Sequence, residues 1–178
     1  MDTRVDWSRR PGADEFAAFY RGYVEAVPAG DILEILSRNL DETLATLRGL
    51  DEERAGFRYA PGKWSLREVL GHIVDSERVF AYRALRIARD DATPLPGFDQ
   101  DDYVRAAGFE RRPFPGLLGE FEHLRRANLH LFAGFGEEEL GRRGTANEQP
   151  ISVRALLFIL AGHERHHLGV LRERYLAG

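Results

Sequence analysis

The sequence predicts an all-α four-helix bundle with a short N-terminal helical extension, and three observations carry that expectation. Four segments of roughly 20 residues place apolar side chains every three or four positions, the period of a helix with one buried face. No segment shows the strong alternation of a half-buried strand, and no internal repeat is present. With 178 residues, 43% of them hydrophobic, the chain can bury the core of one such domain.

Each element has a local justification. Residues 14–27, DEFAAFYRGYVEAV, read as a short helix, and PAGD at 28–31 breaks the chain after it. This separates an extension over residues 1–29 from a bundle domain over 30–178. The first bundle helix opens at Asp31, a suitable N-cap, and carries Ile32, Leu33, Leu36, Leu40, Leu44 and Leu47 to an end near Leu50. GFRYAPGKW is a loop, with Trp64 expected to pack it onto the bundle. The second helix starts at Ser65, because Ser65 through Glu68 has the S-x-x-E form of a capping box. Its stripe is Leu66, Val69, Leu70, Ile73, Phe80, Ala84 and Ile87, reaching about Arg89.

Residues 90–116 carry four of the eight prolines. A connection this long is usually functional or disordered rather than idle, with DDYVRAA able to form a helical turn. The third helix runs approximately from Gly116 to Phe135 on Leu117, Leu118, Phe121, Leu124, Leu131 and Phe132. GEEELGRRGTANEQP is polar and turn-rich. The fourth helix extends from about Ser152 to Tyr175.

Composition then excludes function classes. Lys plus Arg is 25 against 29 for Asp plus Glu, a formal net charge of −4 that argues against a nucleic-acid binder relying on overall charge. No apolar run approaches the roughly 20 residues of a membrane span. MDTRVDWSRRPGADEF lacks an apolar signal region, so a cytoplasmic protein is expected. Cysteine is absent, which removes disulfides, thiolate ligands and a cysteine nucleophile. A bound metal must therefore rest on carboxylates and the six histidines.

The last helix, ISVRALLFILAGHERHHLGVLRERYL, is the informative one. Its inward stripe is Val153, Leu156, Leu157, Leu160, His163, His167 and Leu171, so two histidines continue the line that packs the core. At i and i+4 they stand one turn apart on one face, where both imidazoles can converge on a divalent cation. A lone inward histidine would be read as a hydrogen-bonded core residue. Two in register favour a metal, and a third ligand must come from another helix. His72, at the edge of the second stripe, is the candidate, with Asp75 and Glu77 as possible orienters or further ligands. His123 and His130 are expected in solvent, and His166 beside the site or on the surface. His163 to His167 also satisfies H-E-x-x-H, the zinc-protease motif. No third ligand follows at a suitable interval, Glu173 being misplaced, and no strand supports a protease.

GFRYAPGKWSLREVLGHIVDSERVF, with the loop after it and SVRALLFILAGHERHHLGVL downstream, resembles the DinB-like (DinB/YfiT, damage-inducible) superfamily of metal-dependent four-helix-bundle proteins. The resemblance spans about Gly30 to Leu176, and the pairing of GKWS…GH…D-x-E with GHE-x-HH is what makes it specific. It implies an up-down-down-up bundle and a metal site on His72, His163 and His167. It also implies that members are often homodimers and that some relatives use mycothiol, bacillithiol or glutathione.

Three neutral imidazoles leave coordination positions open on Zn²⁺, Ni²⁺ or Fe²⁺, for water or for a small-molecule thiol. The expectation is thus a metal-dependent enzyme on a small-molecule substrate, either a hydrolase or a thiol-dependent transferase, with no nucleic-acid or membrane partner. The alternative is a non-catalytic bundle with a structural ion or core histidines. Substrate contacts are sought in FDQDDYV and at Arg83, Arg86 and Arg89, which otherwise read as a solvated face; Asp99, Asp101 and Asp102 otherwise read as ordinary loop carboxylates. Phe16, Phe19, Tyr20 and Tyr23 are the candidate dimer surface.

Overall fold

A computed structural model describes residues 5–177. Four long helices form the bundle: α2 (Ile32–Leu47), α4 (Leu66–Ala88), α6 (Phe114–Ala133) and α8 (Val153–Val170). Shorter helices lie at its ends and in its links: α1 (Arg21–Ala26), α3 (Glu52–Gly56), α5 (Gln100–Ala107) and α7 (Glu137–Gly141). The expected caps form. Asp31 accepts from the backbone of Leu33 and Glu34, and Ser65 and Glu68 close the capping box that starts α4. No described helix is long and apolar enough to cross a membrane.

Side-chain pairing gives the helix directions. Asn39 reaches the Ala161 carbonyl and Thr43 reaches Glu164, so α2 and α8 run parallel. Arg67 at the start of α4 donates to the Glu110 carbonyl just before α6, while Glu77 further along α4 meets Arg125 and Asn128 further along α6, so these two helices run parallel. His72 meets His163 while Arg142, whose carbonyl accepts from the first α8 residue Val153, bonds the Ala88 carbonyl at the far end of α4, so α4 and α8 are antiparallel. The order is up-down-down-up. Parallel neighbours α4 and α6 need a link that returns along the bundle, a distance of about 34 Å for a 23-residue helix at 1.5 Å per residue. The Pro-rich segment is that link.

Three expectations are corrected. The polar segment after the third helix is not only turns: it holds α7 and a hairpin of β1 (Arg143–Ala146) and β2 (Gln149–Ser152). Four-residue strands are too short to show period-2 patterning, and the signal lies in the turn, where Asn147 and Glu148 both have positive φ. The crossover is also more ordered than a bare loop. Leu95 bridges in parallel to Ala146, exchanging backbone bonds with Thr145 and Asn147, before α5 begins at the Asp99 cap. Finally, of the four N-terminal aromatics only Phe19 is largely exposed, at 60%; Phe16, Tyr20 and Tyr23 pack against the core.

The N-terminal residues are stitched to α8 and its hairpin. The Ser152 backbone N–H donates to the Glu15 carbonyl and its hydroxyl to the Glu15 carboxylate, while Val24 and Val27 are buried in the same cluster as α4 and α8.

Candidate metal centre

His72 stands in the second turn of α4, and His163 and His167 in the second half of α8. Antiparallel packing brings the three rings together. The Nε2 atoms of His72 and His163 are 3.0 Å apart, and those of His163 and His167 are 3.1 Å apart. One ligand atom from each lies within 4.8 Å of the other two. His72 and His163 are buried and His167 half-buried.

Burial makes all three weak bases. His72 is lowered to about 4 by desolvation. His167 is lowered to about 3 by desolvation and by the neighbouring imidazoles, and His163 falls well below the ordinary value for the same reasons. Near neutral pH the rings are uncharged, with lone pairs to offer. The Nε2 atom of His163 faces two others at once, yet one N–H cannot serve both contacts. A cation at the centre would take all three lone pairs. Tetrahedral coordination at 2.0–2.1 Å separates nitrogens by about 3.3 Å, within a few tenths of an ångström of the observed spacings. The donor set therefore fits a divalent metal.

Aromatic rings wall the cluster. Trp64 lies 5.0 Å from His72, Phe80 6.0 Å from His163, and Tyr23 stands edge-on at 5.5 Å from His163 and 5.6 Å from His166. Trp64 thus does more than pack its loop. Glycine precedes each inner histidine for a reason of space: a Cβ at Gly71 would overlap the Phe109 ring, and one at Gly162 would overlap the Tyr23 carbonyl.

A cavity of about 530 Å³ opens beside His167, lined also by Lys63, Trp64, Gln100, Asp101 and His166. His72 and His163 are not among its lining residues. Lys63 is the only lysine in the chain, a distinction visible in the sequence. Gln100 and Asp101 bring part of the FDQDDYV segment to this cavity, whereas Arg83, Arg86 and Arg89 do not line it. Asp99 instead caps α5, and Asp102 pairs with Arg105. His123 and His130 are exposed, as expected.

The acidic neighbours of the histidines turn away from them. Glu77 and Glu164 are held on the fully buried Arg125 of α6, at 2.6 and 2.7 Å. Arg125 also donates to the Leu36 carbonyl, while Asn128 completes Glu77 and Thr43 completes Glu164. Burial pushes the Glu164 carboxyl up against the pull of Arg125. Glu77 is therefore neither ligand nor orienter, and Glu164 does not play the part it has in H-E-x-x-H proteases. Asp75 lies toward Arg78, Arg112 and Glu120. The Arg125 guanidinium ties together the two helices that carry the histidines. Removing one partner of such a buried ion cluster costs about 3–5 kcal/mol.

Fold and site together define a class: up-down-down-up helical bundles that focus three imidazoles from two helices. A model of the DinB superfamily matches residues 35–171, and the chain belongs to that superfamily. A protein of Oceanobacillus iheyensis named "putative metal-dependent hydrolase" is 28% identical over 142 residues, covering 79% of each chain. A Geobacillus kaustophilus protein of the same name is 25% identical over 156 residues, covering 82% of this chain and 86% of its own. Among solved structures, YfiT from Bacillus subtilis, described as a probable metal-dependent hydrolase with an unusual four-helix bundle topology, superposes with a TM-score of 0.73. It is 15% identical, over 80% of this chain and 82% of that one. The mycothiol-dependent maleylpyruvate isomerase superposes with a TM-score of 0.66 at 14% identity, over 82% of this chain and 61% of the isomerase. At these identities the two structures bear on the fold alone.

Proposed function

We propose that the chain is a metal-dependent enzyme acting on a small molecule, with His72, His163 and His167 as ligands of one divalent ion (Zn, Ni or Fe), and that its reaction is a hydrolysis. The observation that carries this reading is the convergence of three neutral Nε2 atoms beside an open cavity. A divalent ion held there supplies Lewis acidity toward a substrate oxygen, a water or a small thiol.

The chain's own residues do the rest. His72 and His163 are braced by Trp64, Phe80 and Tyr23, and His167 faces the cavity, so substrate enters on its side. The Tyr175 hydroxyl donates to the Trp64 carbonyl at 2.7 Å and fixes one wall of the cavity. The Lys63 ammonium and Gln100 amide orient a polar substrate. Asp101 and His166 are lining groups able to take up or return a proton.

The names of the two sequence relatives favour hydrolysis. Thiol transfer is the second reading, because a chain without cysteine that shares the fold of a mycothiol-dependent enzyme could admit a thiol cosubstrate through the same cavity. Elemental analysis of protein purified without metal-affinity steps is expected to find one divalent ion per chain, lost in His163→Ala and His167→Ala. Metal-free wild type whose melting temperature ignores added Zn²⁺, Ni²⁺ and Fe²⁺ would refute the site. Turnover of ester or amide substrates by the loaded protein without added thiol separates hydrolysis from thiol transfer.

A further inference from the structure

Four arginines among the described residues are more than nine-tenths buried: Arg67, Arg83, Arg125 and Arg154. Burying a charge is costly unless an opposite charge compensates it. Arg67 pairs with Glu52, Arg125 with Glu77 and Glu164, and Arg154 with Glu137 at 2.6 Å. Arg83, at 3% exposure, has no carboxylate partner among the described residues. Its Nη2 donates to the Pro96 carbonyl at 2.6 Å, its guanidinium stands 5.9 Å from the Phe80 ring, and the Tyr20 hydroxyl lies beside it. These are neutral contacts, and the cation remains uncompensated.

Arg83 also lines a cavity of about 280 Å³, whose other walls include Val79, Tyr82, Leu95, Phe98 and Tyr103. Those walls are pre-formed. Leu95 is tied to the hairpin on both its backbone groups, and Gly97 packs directly on the Asn147 side chain. Phe98 and Tyr103 form a tilted pair with ring centroids 4.9 Å apart. Arg78 is also at this cavity but is engaged by Glu120 at 2.5 Å. The cavity shares no lining residue with the one at His167.

We propose that this cavity is a second binding site, separate from the histidine cluster, for a small carboxylate with a compact apolar body. The carboxylate meets the Arg83 guanidinium, and an aryl or branched-alkyl body lies among Leu95, Phe98 and Tyr103. A cavity this small, below the usual 300–1,000 Å³ of ligand sites, selects a body of about one ring. The inference stands independently of the metal reading.

Calorimetric titration with phenylacetate tests it, with 2-phenylethanol as an uncharged analogue carrying the same ring and chain length. Phenylacetate is expected to bind at one site, with the same Kd in metal-free and metal-loaded protein, and at least about tenfold more tightly than 2-phenylethanol, the worth of one charge-assisted hydrogen bond. Arg83→Met should erase that preference. Because Arg83 also holds the Pro96 loop, Val79→Phe serves as the second variant: it keeps the guanidinium and fills the cavity, and should abolish binding. No binding at millimolar phenylacetate, equal affinity for the two probes, or full binding by Val79→Phe would overturn the proposal and leave Arg83 as a peg for the loop. Displacement of phenylacetate by metal loading would overturn the separateness of the site.

Discussion

A buried imidazole resists protonation because the charged ring would lose its hydration. His72, lowered to about 4, and His167, lowered to about 3, have folded-state values below the ordinary 6.5 of the unfolded chain, and His163 is lowered as well. Above pH 6.5 both states are neutral at these positions, and the histidines leave stability unchanged. As pH falls from 6.5 toward 4, the unfolded chain takes up protons that the folded chain refuses, so the metal-free protein loses stability. The loss is about 1.4 kcal/mol per pH unit for each such imidazole. Melting temperatures of metal-free protein at pH 8, 6.5 and 5 should be nearly level over the first interval and fall over the second, less steeply in His72→Leu. A level profile down to pH 5 would contradict the burial of these rings. At this scale the sequence was unevenly legible. His163 and His167 were visible because their i,i+4 spacing continues an apolar stripe. Arg125 was overlooked, although Phe121, Arg125, Asn128 and Phe132 share one helical face and a polar residue on such a face demands a buried partner.

Among the elements, α8 is the one that the site constrains most tightly. It is buried on nearly every side from Val153 to Glu164, because α2, α4 and the N-terminal helix all press on it. The approach of α1 depends on Gly162, where an added Cβ would meet the backbone of Tyr23 rather than a side chain able to swing aside. Gly162→Ala must therefore displace α1. It should cost about 1–3 kcal/mol despite the better helix propensity of alanine, and loosen Tyr23 from His163. Gly169→Ala, on the same helix with open space at its Cβ, is the control and should be neutral or stabilising. Equal melting temperatures for the two variants would show that α1 does not pack as described. The bundle helices were readable from period and caps to within a few residues. The hairpin and the pinned crossover were not, since β1 and β2 are four residues each and Leu95 finds its partner 51 positions away, at Ala146.

At the scale of the molecule, residues 5–29 complete the core beside the family-defining region, whose match begins at residue 35. Val24 and Val27 are buried in the cluster shared by α4 and α8, and Tyr23 closes one side of the histidine cluster. Deleting residues 1–29 removes two buried valine side chains, worth up to about 1.5–3 kcal/mol each. In a chain of this size that corresponds to a melting temperature lowered by on the order of 10 °C. An unchanged melting temperature would make the segment a true appendage. The chain's amphipathic helices, their caps, the crossover's length and the paired histidines of α8 were determined by the sequence alone, because helical period and backbone hydrogen bonding are local. Only the tertiary structure decided that His72 meets a residue 91 positions away, that Arg125 claims Glu77 and Glu164, and that Arg83 is buried with no carboxylate. Those outcomes follow from which helices run parallel and how closely they approach, and no local pattern carries that information.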